Sequence, residues 1–467
     1  MSAVNRAARL PTSVLLAYGL PGMPIAFLLF PLFLFLPTHY AQDLGLGFGV
    51  VGGILLAARI LDAITDPVIG MVSDHTNLRW GRRRPWMVIG TPIVIVSVWF
   101  LFSPPPGVGA VHLLVWSFLL YFGGTMLHLV YNAWGAEIST NYHERTRITA
   151  YRELFVVAGT VVAVGGAQVV GALRGVPLTT AGSLAFIALL ATIVLPTAVL
   201  IAVLVVPDRA TPRPRIKLGR ALRVLWQNKP FLRLLSAFLL NSTANGLPIT
   251  LYFLFAQHVL QAGGLTYVIL GVYFATAILS VPLWLRLSYR YGKHRMWCVS
   301  MLIVGAVFIW APFLGAGDAH WLLVMSVING LCLGGDLVLP PAIQADVVDF
   351  DELRSRQQRA GVYFAMWSVV TKVALALAVG ISFPILALAG FQGASEHVIA
   401  ETGIAMVQTP LALLTLALLY STLPVLLKLG AVALMWRFPI DAPLQARIRN
   451  LIVRRDDHKG SMAARTA

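Results

Sequence analysis

The chain has 467 residues, of which 58% are hydrophobic and only 12% are charged, and its mean hydropathy is +0.79. A soluble domain carries about twice that charged fraction, so the composition excludes an ordinary soluble enzyme and predicts a polytopic membrane protein. The formal net charge of +16 would suit a nucleic-acid partner, but most of the 35 basic residues fall in alternate short loops, so nucleic-acid binding is not expected.

Apolar runs long enough to cross a bilayer recur along the whole chain and predict twelve helices, because backbone polar groups in hydrocarbon must be satisfied within their own segment. The first six spans are predicted at residues 12–37, 47–72, 84–104, 110–136, 150–173 and 180–206. The second six are predicted at 231–260, 266–286, 295–315, 320–347, 360–386 and 407–436. No small-residue cleavage site closes a short apolar stretch near the start, which favours a first helix over a signal peptide.

The connections between the spans alternate in charge. Those after even-numbered spans are basic, as in "RWGRRR", "HERTRITAYR", "RLSYRYGKHR" and "DELRSRQQR". Those after odd-numbered spans are poor in Lys and Arg, as in "SPPPGVGA" and "QGASEHVIAETG". The positive-inside rule therefore places the basic loops and both basic termini in the cytoplasm, and we expect an inner (plasma) membrane location.

The longest basic linker divides the chain into two halves that echo each other. "RWGRRR" after span two matches "RYGKHR" after span eight, so that Gly81 corresponds to Gly292, and Glu137 of span four corresponds to Asp346 of span ten. Two parallel six-helix repeats are the plan of major facilitator transporters. The predicted fold is therefore all-α, with two six-helix bundles. The predicted divisions are residues 1–206 and 231–436 for the bundles, 207–230 for the basic linker and 437–467 for a cytoplasmic tail.

Span two contains three charged residues, Arg59, Asp62 and Asp66, although a charge at the bilayer centre costs roughly 2.5–3.5 kcal/mol on insertion scales. Asp62 and Asp66 are four residues apart and share one helix face, with Arg59 on the same side. Two desolvated carboxylates one turn apart repel each other, and a bound cation or proton relieves that repulsion. The pattern predicts a Na⁺ site, or a proton that substitutes for Na⁺, with the Thr65 hydroxyl as a further ligand. A purely structural ion pair with Arg59 is the alternative.

Three sequence blocks resemble the glycoside–pentoside–hexuronide:cation symporter family, which includes the melibiose carrier and, more distantly, the lysolipid importers of animal cells. The blocks are "RILDAITDP" with the following "RWGRRRPW", then "ISTNYHERTRITAYRELF", then "ADVVDFDELRSRQQRAGVYFAMWSVVTK". The resemblance covers nearly the whole chain and implies a Na⁺, Li⁺ or H⁺ site at Asp62 and Asp66. Thr125 of span four and Thr65, where the family commonly has Asn, would join that site. Lys372 matches the lysine of the family's helix eleven.

The chain departs from the sugar carriers of that family where they recognise sugar. His128 and Asn132 stand where those carriers have Asp and Trp, and Ala26 stands where they have an Asp in helix one. We therefore expect cation coupling to be retained, whereas the departures weaken the case for galactoside recognition. For His128 the alternative to a substrate contact is a histidine bonded to a neighbouring helix. The predicted substrate-cavity residues are His128, Asn132, Arg152, Asp336, Tyr363, Trp367 and Lys372, with packing as the alternative for the two aromatic residues.

Two further charged positions lie within apolar runs. Asp336 in "LGGDLVLPP" has glycines before it and prolines after it, a pattern that favours a broken helix lining a cavity. Lys428 lies towards the cytoplasmic end of span twelve, where a long basic side chain is expected to snorkel to the membrane surface.

Five charged residues of the cytoplasmic loops are predicted to form gate networks between the two halves. The alternative is that these charges are solvated and only fix the topology. The predicted gate residues are Asp74, Arg82, Arg83, Glu144 and Arg145.

The sequence thus predicts a cation-coupled symporter that moves a sugar, a glycoside or a similar small organic solute by alternating access. The alternative is cation-dependent transport of a lysolipid or other amphiphile, because the apolar first helix suits an acyl chain and Arg152 or Lys372 suits an anionic head group. No nucleophile–base pair or soluble catalytic domain supports an enzyme, and no repeated pore loop supports a channel. We expect a monomer whose partners are the solute, a monovalent cation (Na⁺, Li⁺ or H⁺) and the bilayer, without a cofactor or nucleic acid.

Overall fold

In the residues that it describes, the computed structural model consists of helices and the turns and loops that join them, with one isolated bridge between Leu78 and Gly81. The described residues are 10–76, 78–139, 142–175, 179–208, 226–355, 360–391, 408–441, 443–445, 447–448 and 450–451.

The helices follow the predicted spans closely. In the first half they are α1 Thr12–Gly19, α2 Gly22–Leu34, α3 Phe48–His75, α4 Arg84–Phe102, α5 Ala110–Ile138, α6 Tyr142–Arg174 and α7 Thr180–Val205. In the second half they are α8 Lys229–Leu254, α9 Leu265–Tyr291, α10 Lys293–Phe308, α11 Ala319–Ser355, α12 Ala360–Leu388, α13 Pro410–Ala417 and α14 Leu423–Met435.

Ten helical segments of the described chain are long and apolar enough to cross a bilayer. α6 supplies an eleventh if its two parts, which are bent by 43°, count as one span, and the first span contains a shorter apolar helix, Thr12–Leu28. The prediction of an all-α polytopic protein is confirmed. Two helices extend past their predicted ends: α6 begins at Tyr142, and α11 ends at Ser355. The length of an apolar run reflects only the thickness of the bilayer, whereas a helix can continue with polar turns outside it.

The chain forms two compact units. Unit 1 contains Met1–Arg213 and Val379–Ala412, and unit 2 contains Pro214–Ala378 and Leu413–Ala467. The end of α12 belongs to unit 1 because it packs closely on the start of α3. A Cβ atom on Gly52 would lie 2.7 Å from Phe383 Cβ, and one on Gly380 would lie 2.7 Å from Leu56 Cδ2. The predicted limits of the two six-helix bundles stay a prediction.

A turn of π-helix follows the first long helix of each half. These turns are His39–Asp43 after α2 and Phe255–Val259 after α8, and both contain an aromatic–Ala–Gln sequence. In the first turn the Leu44 amide donates to the His39 carbonyl at 3.1 Å, and in the second the Leu260 amide donates to the Phe255 carbonyl at 3.2 Å. The repeat suggested by the sequence is therefore present in the backbone as well.

Glycines of α11 allow a close approach to α9 within unit 2. Gly330 and Gly334 form a GxxxG pair, and a Cβ on Gly334 would lie 2.0 Å from Ser280 Oγ and 2.5 Å from the carbonyl oxygen of Ala277. α11 runs without interruption through this region and through Pro340. The prediction of a broken helix around Asp336 is therefore wrong, because the glycines there serve helix packing.

Replacement of Gly334 by alanine tests this packing. We expect Gly334→Ala to lower the melting temperature, since overpacking against a backbone carbonyl costs roughly 1–3 kcal/mol. The matched control is Gly271→Ala on α9, where nothing lies within 4 Å of the added methyl group. That control should be neutral or stabilised by up to about 1 kcal/mol through helix propensity. Equal melting temperatures of the two purified variants, measured by tryptophan fluorescence, would contradict the packing account.

Candidate cation and solute site

Three oxygen atoms from α3 and α5 converge inside unit 1. The Thr125 hydroxyl lies 2.8 Å from Asp62 Oδ1 and 2.8 Å from Asp66 Oδ1. Asp62 is completely buried, and Asp66 and Thr125 are each 4% exposed. The i,i+4 spacing of the two carboxylates places them on one face of α3, as their spacing predicts.

The protonation of this group is constrained by the single hydrogen of the hydroxyl. Thr125 can donate that hydrogen to only one of the two carboxylates at a time. The oxygen of the second carboxylate then lies 2.8 Å from the Thr125 hydroxyl oxygen without a hydrogen between them. A contact between two acceptor oxygens is stabilising only when a second hydrogen or a cation lies beside them. The arrangement therefore suits a small monovalent cation or a bound proton.

Arg59 lies beside this group and offsets part of its negative charge. Its Nη1 donates to Asp62 Oδ2 at 3.2 Å, and its Cζ lies 3.7 Å from the ring centroid of Tyr121. The face of the Tyr121 ring attracts the guanidinium and helps to hold it against Asp62 Oδ2. Tyr121 was not singled out by the sequence, because an aromatic residue in an apolar run gives no sign of such a contact. The Thr65 hydroxyl donates to the backbone carbonyl of Asp62 at 2.9 Å.

A second polar group in unit 1 joins α5 to α6. Arg152 Nη1 donates to the Asn132 side-chain oxygen, and the Asn132 amide nitrogen lies 3.3 Å from the His128 ring nitrogens. Arg152 Nη2 also donates to Glu153 Oε1 at 2.5 Å. His128 is exposed and the Arg152 side chain is 25% exposed, so this group can meet a solute. The three residues predicted from the first half of the chain for the substrate cavity therefore form one cluster.

The predicted residues of α12 occupy different surroundings. Tyr363 is fully buried, its hydroxyl accepts from Asn228 Nδ2 at 2.9 Å, and its ring packs edge-on against Phe231. This environment favours the packing alternative for Tyr363. Trp367 is partly exposed and stacks on Phe238 with ring centroids 3.7 Å apart. Lys372 is partly exposed one turn further along α12.

Asp336 and Lys428 belong to one buried group in unit 2. Lys428 is 2% exposed, so the prediction that it snorkels is wrong. Its Nζ lies 3.7 Å from Asp336 Oδ2 and closer to the side-chain oxygens of Asn241 and Asn245. Sequence position alone did not show which face of its helix carries the lysine.

The basic loop after α3 is tied to α5 by a two-pronged ion pair. Arg83 donates to Glu137 through Nε at 3.1 Å and through Nη2 at 2.7 Å, and through Nη1 to Ser73 at 3.0 Å. Arg82 Nη1 is 3.9 Å from the same carboxylate. Bidentate pairing of this kind fixes geometry as well as charge.

Asp208, which follows α7, holds the same loop from the other side. Its carboxylate accepts from the backbone amides of Arg83 at 2.7 Å and Arg84 at 3.2 Å. Gly81 makes room for it: its φ is +119°, and a Cβ there would lie 2.1 Å from Asp208 Oδ2. The loop thus joins three helices of unit 1.

Unit 2 contains a counterpart of this ion pair. Lys293, at the start of α10, places Nζ 2.7 Å from both carboxylate oxygens of Asp346 on α11. The pairs Arg83–Glu137 and Lys293–Asp346 lie about 210 residues apart in the chain. Equivalent ion pairs at equivalent places support the internal repeat.

The remaining predicted gate residues are only partly described. Glu144 accepts from Arg147 Nη1 at 2.9 Å and from the backbone amide of Leu10 at 3.2 Å. The side chains of Asp74 and Arg145 lie outside the described part of the structure. The gate role of these residues stays a prediction.

The family described as "MFS/sugar transport protein" matches this chain over residues 17–442. The sodium-dependent lysophosphatidylcholine symporter 1-A of Danio rerio is 28% identical over 439 residues, which cover 83% of this chain and 78% of that protein. The isoprimeverose transporter of Lactiplantibacillus pentosus is 24% identical, and the match covers 76% of each chain.

Among solved structures, the nucleoside transporter NupG superposes with a TM-score of 0.62 over 92% of this chain and 100% of that chain. At 14% identity this likeness shows the fold alone, and it confirms the predicted major facilitator fold. The relatives named here are transporters and not enzymes, in agreement with the expectation from sequence. Because the family match extends over most of its length, the chain belongs to the MFS/sugar transport protein family.

Proposed function

We propose that this protein is a sodium-coupled symporter of a lysophospholipid or a similar amphiphile. The proposal of sodium coupling rests on one observation, the convergence of buried oxygens from Asp62, Asp66 and Thr125. The amphiphile is supported by relatives whose names specify sodium-dependent lysophosphatidylcholine symport. The sequence had favoured a sugar or glycoside first, and these relatives support its alternative better.

The charges around Thr125 favour a monovalent cation. Asp62 and Asp66 bring two negative charges, and Arg59 brings one positive charge. A Na⁺ ion would add one positive charge between the two carboxylates and relieve their repulsion. Bound Na⁺ also provides the positive charge that the close oxygens require, so cation binding rigidifies the contact between α3 and α5. Alternating access then moves the cation with its solute, as in other transporters of this fold.

The Arg152 cluster is proposed to bind the head group of the amphiphile. A guanidinium recognises phosphate through paired hydrogen bonds, and Arg152 reaches the solvent edge of its cluster. Asn132 and His128 add neutral hydrogen-bonding groups beside it. The acyl chain requires no polar partner and suits the apolar helix α2.

A glycoside is the second candidate solute. It is favoured by the likeness to the isoprimeverose transporter, which extends over most of both chains. Asn132 and Arg152 could also bind sugar hydroxyls, but the carboxylates that bind paired hydroxyls in the melibiose-carrier group are replaced here by Ala26 and His128.

The charge pattern of the loops supports a cell-membrane location with the basic loops in the cytoplasm.

Neutralising either carboxylate should abolish sodium dependence. In Asp62→Asn and Asp66→Asn we expect loss of Na⁺-dependent thermal stabilisation and at least a tenfold loss of concentrative uptake into proteoliposomes, since one ionic ligand is removed. The matched control is Asp43→Asn, which removes a carboxylate of unit 1 that pairs with His39 instead. Full sodium dependence in both site variants would place the coupling site elsewhere.

Replacement of Arg152 distinguishes the two solutes. In Na⁺, lysophosphatidylcholine should raise the melting temperature of the purified protein more than isoprimeverose does. Both solutes should have a smaller effect when K⁺ replaces Na⁺. Arg152→Gln should reduce the lysophosphatidylcholine effect about tenfold in apparent affinity, because a charge-assisted hydrogen bond to a phosphate contributes roughly 1.5–3 kcal/mol. Arg290→Gln, on the exposed end of α9, is the control. Stabilisation by the sugar alone would favour the second candidate.

A further inference from the structure

Two helices of unit 2, α8 and α11, place oxygen atoms around the ammonium group of Lys428, which is carried by α14. Lys428 on α14 donates to Asn241 Oδ1 at 2.8 Å and to Asn245 Oδ1 at 2.7 Å, both on α8. Its third neighbour is Asp336 Oδ2 on α11, at 3.7 Å. An ammonium has three N–H groups and no acceptor, so three surrounding oxygens are the partners that it requires when buried.

The oxygens are held in place by contacts that do not involve the lysine. Trp297 Nε1, from α10, donates to Asp336 Oδ1 at 2.7 Å, and Asn245 Nδ2 donates to Asp336 Oδ2 at 2.9 Å. Asn245 therefore turns its amide nitrogen to the carboxylate and its oxygen to the ammonium. This arrangement presents a carboxylate and two amide oxygens towards one point.

The contact between Lys428 and Asp336 differs from an ordinary ion pair in the same unit. Lys293 Nζ lies 2.7 Å from both oxygens of Asp346, and the Lys293 side chain is 33% exposed. Lys428, by contrast, is nearer to two neutral amide oxygens than to its carboxylate, and 3.7 Å is longer than a hydrogen bond. The ammonium is therefore surrounded by a set of three oxygens, of which the carboxylate oxygen of its ion-pair partner Asp336 is the most distant.

We propose that Asn241, Asn245 and Asp336 form a monovalent-cation site in unit 2 whose resident cation is the ammonium of Lys428. The side chain supplies a cation that is covalently attached and cannot diffuse away. When the lysine side chain is shortened, this site should bind small monovalent cations with N–H groups, such as methylammonium. The inference does not depend on the proposed solute or on the coupling site in unit 1.

Shortening the lysine tests the proposal by chemical rescue. Lys428→Ala should melt several degrees below the wild type, and methylammonium chloride should restore most of that loss in a saturable manner. Tetramethylammonium chloride at equal concentration should not, because its bulk and lack of N–H groups exclude it. The rescue should be lost in Lys428→Ala/Asp336→Asn. Lys293→Ala, which breaks the ordinary ion pair, should show no saturable rescue.

Rescue of Lys428→Ala no greater than that of Lys293→Ala would overturn the proposal and leave a structural ion pair. Lys428→Arg keeps the experiment decisive if the alanine variant does not fold. A site shaped for an ammonium should reject the planar guanidinium, so Lys428→Arg should lose several degrees of melting temperature or fail to fold, whereas Lys293→Arg should stay near the wild type. A Lys428→Arg variant as stable as Lys293→Arg would also overturn the proposal.

Discussion

A single hydroxyl hydrogen shared between two buried carboxylates is the constraint on which the charged interior of unit 1 depends. Asp62 and Asp66 cannot move apart, because they lie one turn apart on the same helix. Thr125 approaches both from α5, and Tyr121, one turn earlier on α5, holds Arg59 against Asp62. Residues of α3 and α5 thus hold three oxygens close together, and a bound cation or proton would relieve the repulsion between the two carboxylates.

The two units balance their buried charges by different means. Unit 1 brings two buried carboxylates, Asp62 and Asp66, to one hydroxyl and pairs Asp62 with Arg59. In unit 2 the carboxylate of Asp336 lies beside the buried base Lys428, and the side-chain oxygens of two asparagines are turned towards that base. An exchangeable cation is therefore favoured in unit 1 and a covalently attached one in unit 2. Each unit also contains an ion pair at the start of a helix or in the loop before it, Arg83–Glu137 in unit 1 and Lys293–Asp346 in unit 2.

The sequence predicted much of this because hydropathy, loop charge and helical spacing are local properties. The helices, the shared face of Asp62 and Asp66 and the match between Glu137 and Asp346 all follow from such patterns. Thr125 was reached only through a family resemblance, since a threonine in an apolar helix has no charge to mark it. The remaining side-chain contacts depend on tertiary packing, because the spacing of residues along the chain does not show which helix faces a given side chain.

Two errors show where local patterns fail. The glycines before Asp336 have the same sequence signature whether they break a helix or admit a neighbour, and only the contact of Gly334 with α9 distinguishes the two. Lys428 was expected at the membrane surface because it stands near the end of an apolar run, but Asn241 and Asn245 provide partners inside unit 2. Because neutral amides carry no charge, hydropathy and charge patterns do not mark Asn241 and Asn245 as partners of the lysine.

Direct measurement of sodium binding tests the central claim. Radioactive Na⁺ binding to the purified protein should saturate at about one ion per chain, because the oxygens of Asp62, Asp66 and Thr125 converge on one place. Thr125→Ser keeps the hydroxyl and should retain this binding, whereas Thr125→Val keeps the shape without the oxygen and should lose most of it. Equal sodium binding by the serine and valine variants would contradict the account.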